Sequence, residues 1–280
     1  MEINLKIYNS VNNNLISNLN KIYITLKEGI NIFCNIDGVN IPLVSTGTSP
    51  FIGAGQFGFK AFEWRRRFLY NPEAMLEILK VSYLNGACGI EVIPNGKIME
   101  AAKMMSEMYG DYVITGSTNP EKDPGIKALI EIGAKLIFVH GVISDNKGKE
   151  LVRLLDEISG YGIIPGIATH DPIPTIKYSI ENNLNVRVFL IPFNANGFLM
   201  GNAKYLEEIV DSTKNFYFIG MKTLAAGEIK PSFAFEYIAN HKICAVTIGM
   251  VTKQQAEEST KIALKSLNRK KNGNNFKKKF

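Results

Sequence analysis

Residues 163–182 read Ile-Ile-Pro-Gly-Ile-Ala-Thr-His-Asp-Pro-Ile-Pro-Thr-Ile-Lys-Tyr-Ser-Ile-Glu-Asn, and a strand, a turn and a helix follow one another in that span. The run Ile163–Thr169 is apolar without polar alternation, as expected of a strand buried on both faces. Asp171-Pro172 then places an oxygen-bearing cap before a proline, whose missing N–H costs nothing in a first helical turn. From Pro172 to Asn182 the apolar residues fall at helical spacing. A strand that runs straight into a helix is one βα unit, and repeated units build a parallel sheet.

The unit recurs on either side. Strand runs are read at Ile41–Ser45, Gly89–Ile93, Tyr112–Thr115, Leu136–His140, Ile163–Thr169, Val186–Ile191, Phe216–Met221 and Ala245–Gly249. Helices are read at Pro72–Asn85, Ile98–Met108, Pro124–Ile132, Gly148–Ser159, Pro172–Asn182, Ala203–Ser212, Ser232–Asn240 and Lys253–Ser266. Asn71-Pro72 and Asp123-Pro124 repeat the cap-proline signal, and Thr252 with Gln255 forms a capping box. Gly86, Gly133 and Gly160 suit left-handed helix ends. Eight units of strands buried on both faces predict an α/β protein, a (β/α)8 TIM barrel with a short N-terminal β extension. Residues 41–267 form the barrel in this reading, and its pocket lies at the C-terminal ends of the strands. Residues 1–40, with alternating runs at Leu5–Tyr8, Lys21–Leu26 and Ile30–Asn35, are expected to cap its N-terminal end. Residues 268–280 are expected to be a basic, disordered tail.

Bulk properties exclude several classes. No apolar run reaches the roughly 18 residues of a bilayer span, and the start of the chain has no secretory leader pattern. Cys34, Cys88 and Cys244 are isolated, so neither a disulfide framework nor a cysteine metal site is indicated, and a cytoplasmic, reducing compartment fits. The formal charge is +6, but Arg269, Lys270, Lys271, Lys277, Lys278 and Lys279 carry it, and the remainder is neutral. Such a tail is usually a solvated end, so nucleic-acid binding is not expected. Membrane binding is not expected, and homo-oligomer formation is left open.

Four stretches of the C-terminal half carry a family likeness: Lys135-Leu-Ile-Phe-Val-His140, Ile163 through Pro172, Gly220-Met-Lys-Thr-Leu-Ala-Ala-Gly227, and Ala245-Val-Thr-Ile-Gly-Met-Val-Thr-Lys-Gln-Gln-Ala-Glu-Glu258. In order and spacing they resemble the fourth, fifth, seventh and eighth strands of the aldo-keto reductase superfamily, over about residues 126–264. The resemblance implies a reductase that binds NADP or NAD without a Rossmann domain. It also implies a tyrosine acid supported by lysine, aspartate and histidine. Only His140 carries over. Strand two reads Gly89-Ile-Glu-Val-Ile-Pro-Asn-Gly96, with neither aspartate nor tyrosine, and no lysine ends strand three at Thr115-Gly-Ser-Thr118.

Candidate groups are read from strand ends, where barrel enzymes place their chemistry. His140 and His170 end neighbouring strands, and imidazole serves as acid, base or ligand near neutral pH. The bland alternatives are a hydrogen-bonded rim histidine for His140 and a turn leading into a capped helix for His170. Lys222 ends the seventh strand and could pair with an anion, serve structure, or form a Schiff base if desolvated. Phosphate is expected at the Ala225-Ala226-Gly227 turn and at Gly249 through Lys253, with Thr169, Ala226, Gly227, Gly249, Thr252 and Lys253 as cofactor-binding candidates. The alternative is that Thr252 and Gln255 merely satisfy their own helix. The stretch 47–70, with Trp64, Arg65, Arg66 and Arg67, reads as a long loop, either a glycine-hinged cover for an anionic small-molecule substrate or a surface excursion. Glu91 could join His140 and His170 around a metal, but it sits mid-strand and the family resemblance implies that it points outward, so no metal site is expected. Three functions remain open: a reductase with a divergent proton donor, a lyase, isomerase or transferase acting on a phosphorylated metabolite through His140 and Lys222, and a non-catalytic ligand-binding barrel.

Overall fold

The computed structural model describes residues 31–120 and 123–271. Strands β1 (Phe33–Ile36) and β2 (Val39–Pro42) pair antiparallel as a hairpin. Its turn, Asp37-Gly38, takes positive φ at both residues (48° and 88°), as a tight hairpin whose twist matches the strands requires. Then come β3 (Val44–Gly47), α1 (Phe59–Phe68), α2 (Pro72–Leu84), β4 (Gly89–Val92), α3 (Ile98–Met108), β5 (Val113–Ser117) and α4 (Ile126–Glu131). After them come β6 (Leu136–Val139), α5 (Gly141–Ser144), α6 (Lys149–Gly160), β7 (Ile164–Ala168), α7 (Pro172–Glu181), β8 (Val188–Pro192) and α8 (Ala203–Ser212). The described residues close with β9 (Tyr217–Met221), α9 (Pro231–Ala239), β10 (Ile243–Gly249) and α10 (Lys253–Lys271). Strands β3 to β10 close into one parallel barrel, each paired with its sequence neighbour and β10 with β3.

The (β/α)8 TIM barrel with its N-terminal β extension is the observed architecture. The hairpin sits against the N-terminal end of the barrel: Arg187, which leads into β8, reaches Asp37 at 2.8 Å. Ile36 and Ile41 are buried with Phe138, Val188, Leu190 and Ile219, the apolar filling of the barrel interior. A larger apolar layer, including Phe51, Leu79, Leu155 and Phe235, packs helices on the outer face of the strands. The expected runs Leu5–Tyr8 and Lys21–Leu26 lie outside the described residues, as does the tail beyond 271.

Several local expectations are corrected. The apolar stretch from residue 39 is split: Val39–Pro42 belongs to the hairpin and the first barrel strand begins at Val44. Asp123 does not cap α4. Its carboxylate accepts from the Gly125 N–H at 2.9 Å, and the helix starts only after Gly125, whose left-handed φ of 69° turns the chain into it. Asp171 stands at the start of α7 without a side-chain cap bond, whereas Asn71 accepts from the Ala74 N–H at 3.0 Å. Gly160 is the last residue of α6, and the left-handed glycine after it is Gly162 (φ 73°). The stretch read as a loop at 47–70 holds a 3-10 turn, Gly55–Phe57, and helix α1. No Gly or Pro interrupts 59–68, so once the chain leaves Gly58 nothing stops helix propagation.

Candidate functional site

In a barrel of parallel strands every strand delivers the residue after its C-terminus to the same rim, so His140 (after β6), Thr169 and His170 (after β7) and Lys222 (after β9) share one mouth. The two imidazoles lie 5.7 Å apart, centroid to centroid, nearly edge to face. A side chain at Gly141 would collide with His170, since a Cβ there would meet Nδ1 at 2.9 Å. This glycine is what lets the second ring lie beside the first.

The His140 Nδ1 accepts the Val142 N–H at 3.2 Å, and the Thr118 hydroxyl accepts the His140 N–H at 3.0 Å. Accepting at Nδ1 assigns the ring proton of neutral His140 to Nε2. Burial, followed by the charges of His170 and Lys222, brings its pKa down to about 4, so the ring is neutral at physiological pH. His170 is also shifted down, by burial and then Lys222, against the opposing pull of Asp145.

Asp145, just past α5, orders this side of the rim. It accepts the Thr169 hydroxyl through a short bond, the Thr175 hydroxyl at 3.0 Å and the His170 N–H at 2.9 Å. Thr169 in turn accepts the Asp171 N–H at 3.0 Å. Its hydroxyl is therefore committed to the turn rather than offered to a cofactor.

Lys222 arrives with φ at 54°, and Ala225 and Ala226 follow at 45° and 58°. Left-handed backbone at non-glycine residues is strained and collects at functional sites. The half-buried Lys222 amine donates to Gln56 Oε1 at 2.8 Å, so the segment after β3 reaches across the mouth. Desolvation lowers the Lys222 pKa to about 8, while Glu91 pulls the other way.

Glu91 corrects a further expectation: it points into the barrel, not outward, and is 5% exposed. The Ser117 hydroxyl donates to its Oε1 at 2.7 Å. Burial raises its pKa, opposed by Ser117 and Lys222. It lines a cavity of about 10 Å³ with Ser45, Thr115 and Thr247, roughly the room one water needs. The sequence signal for this group was an acid in the middle of an apolar strand, Gly89-Ile-Glu-Val92, where burial on both faces leaves no cheap place for a charge.

The remaining predicted groups are less convergent. The Thr252 hydroxyl accepts the Gln255 N–H at 3.1 Å and Gln255 Oε1 accepts the Val251 N–H at 2.9 Å, so both side chains serve their own helix end. The Lys253 ammonium pairs with Glu77 at 3.3 Å on the surface. Gly249 packs under Pro50, whose ring a Cβ would meet at 2.7 Å. Ala226 and Gly227 lie in a 3-10 turn. In α1, Arg65 donates to the Ile52 carbonyl at 3.0 Å and Arg67 to the Val251 carbonyl at 3.2 Å, while Trp64 packs edge-on against Phe57. Arg67 ties the covering segment to the residues after β10, Arg65 ties α1 to the stretch before it, and all three arginines are exposed. R65A and R67A are each expected to cost about 1 kcal/mol of stability, and R66A almost none. Equal melting temperatures for all three would show that the two carbonyl contacts contribute nothing.

Among the described residues no group of three or more His, Cys, Asp or Glu could hold a metal, and no helix is long and apolar enough to cross a membrane. A cleft of about 430 Å³ lies at Ser179–Leu184 and Thr213–Phe216, where α7 and α8 end and the chain re-enters the barrel from its N-terminal side, away from the mouth.

In fold the chain is similar to solved aldo-keto reductases. An aldo-keto reductase from a Medee basin deep-sea metagenome library superposes with a TM-score of 0.56 at 14% identity, over 87% of this chain and 95% of that one. A protein of Pseudomonas aeruginosa assigned to the aldo-keto reductases gives 0.61 at 13% identity, over 82% and 92%. A mutant of Gox0644, solved in complex with NADPH, gives 0.57 at 12% identity, over 86% and 94%. No protein-family model and no curated protein matches the sequence.

Proposed function

We propose that this barrel is an enzyme acting on the carbonyl group of a small molecule, as a reductase dependent on NADP or NAD whose proton donor is Lys222 instead of a tyrosine. One observation carries the reading: the Lys222 amine already donates to a carbonyl oxygen in the mouth, that of Gln56, at 2.8 Å. Lysine has donors only, so the amide oxygen must face it. A substrate carbonyl that displaced Gln56 would meet the same N–H.

A bound nicotinamide supplies the hydride in such a reaction. The first-turn N–H groups of α10 at Lys253 and Gln254 precede any intrahelical partner and make a donor set suited to phosphate. The turn at Ala226 and Gly227 completes the rim beside Lys222. Reduction of the carbonyl leaves charge on its oxygen, and a proton must arrive there. An ammonium with a pKa of about 8 releases that proton more readily than an ordinary lysine does and remains mostly protonated near pH 7. The Nε2–H of neutral His140 is a second donor to the same oxygen, one that carries no charge needing solvation.

The pH dependence follows in sign. Turnover is expected to fall as pH rises through about 8, because the donor loses its proton there. His140 contributes no loss until pH falls toward about 4. The decisive measurement is titration of the full chain with NADPH and NADH while nicotinamide fluorescence is followed. Saturable binding supports the proposal. No binding, together with thermal stabilisation by phosphorylated metabolites, would move the assignment to lyase or isomerase chemistry on the same residues.

A further inference from the structure

We propose that the Lys222 amine also acts as a nucleophile, capturing small aldehydes or ketones as an imine, with Glu91 as the group that exchanges the protons of that step. This second activity needs the mouth but no nicotinamide, so it stands or falls separately from hydride transfer.

The geometry supplies what the step needs. The amine sits at the open end of the barrel, held there by the left-handed backbone at Lys222 and already against a carbonyl group, that of Gln56. Burial of the amine among the strand ends favours its uncharged form. Glu91, reaching in from β4 and held by Ser117, is close enough for each group to feel the other's charge. His140 and His170 stand at the ends of β6 and β7 on the same rim, and both register the charge of the amine. Asp145 stands behind His170, 4.0 Å from its Nδ1.

The atoms balance without an oxidant or reductant. The neutral amine forms a bond to the carbonyl carbon, and the carbonyl π pair moves to oxygen. The positively charged nitrogen so formed gives up one proton and that oxygen takes one, completing a neutral carbinolamine whose nitrogen again carries a lone pair. The C–O bond then breaks, the oxygen leaves as water with a proton from the Glu91 carboxyl, and the nitrogen lone pair closes the C=N bond as a protonated imine. Burial shifts the carboxyl pKa up and the amine pKa down, toward the states from which the sequence starts.

The test uses pyruvate and, separately, propionaldehyde as probes. The full chain is incubated with each near pH 7.5, reduced with borohydride and mapped by peptide mass spectrometry. The expected result is a reduced adduct concentrated on the peptide carrying Lys222, increasing as pH rises through about 8. In Glu91→Gln it forms at least tenfold more slowly, and in Lys222→Met it is lost at that position. Label spread evenly over surface lysines, or absent from Lys222 in the wild-type chain, overturns the proposal whether or not the variants fold. An unchanged rate in a folded Glu91→Gln overturns the role of Glu91. NADPH binding without trapping leaves the reductase reading intact, and trapping without NADPH binding leaves the imine alone.

Discussion

Lys222→Met is expected to lower the rate of carbonyl reduction by about 10²–10⁴-fold, the usual worth of a positioned general acid, while the affinity for NADPH changes little. The two readouts separate because the amine meets the substrate oxygen and Gln56 Oε1, whereas the proposed phosphate donors belong to the start of α10. Lys222→Arg is not expected to restore the rate. A guanidinium keeps its proton at every pH the enzyme experiences, so it can occupy the position and still give nothing to the oxygen. The arginine variant should retain the wild-type melting temperature within a few degrees, which makes it the more informative of the two. Reduction at the wild-type rate in either variant would remove Lys222 from the chemistry.

The second large effect is on stability and on the imidazoles together. Asp145→Ala takes the acceptor away from the Thr169 hydroxyl, the Thr175 hydroxyl and the His170 N–H at once. Thr169 and Thr175 are buried, and a buried donor left without a partner costs about 1–3 kcal/mol. A loss of about 3 kcal/mol overall, or roughly 6–12 °C in melting temperature for a chain of this size, is expected by calorimetry. Removing that carboxylate also removes the pull that holds the His170 pKa up, so its ring-proton titration in NMR should shift to lower pH. Asp145→Asn should recover part of the stability, since one amide oxygen can still accept. A variant as stable as the wild type would mean that this turn is held by the strands alone.

What could be read from the residues was the barrel and its rim. Apolar runs at 136–139, 163–168 and 188–191, each followed by a helical period, report local preferences and burial on both faces. Parallel closure then places every strand end on one side, which is why His140, His170 and Lys222 could be brought together before any contact was known. The capping errors at Asp123 and Gly160 were small for the same reason: a cap shifts a helix end by a turn and leaves the topology alone.

Glu91 shows where that reading stopped. In a strand that alternates polar and apolar residues the acid's side would have been evident. In a strand buried on both faces, period two carries no label, and a one-residue change of register turns inward into outward. Sequence alone determined that this chain closes a cylinder of eight strands and which polar residues crown it, because those follow from periodicity and chain direction. Only the tertiary structure decided that Glu91 turns inward to Ser117 and that Gln56, 166 positions away from Lys222 in sequence, covers its amine. It also decided that Thr169 and Thr252 spend their hydroxyls on neighbouring turns. These are contacts between distant segments, set by the depth of each strand in the barrel and by the path of the chain over its mouth, and no local pattern records either.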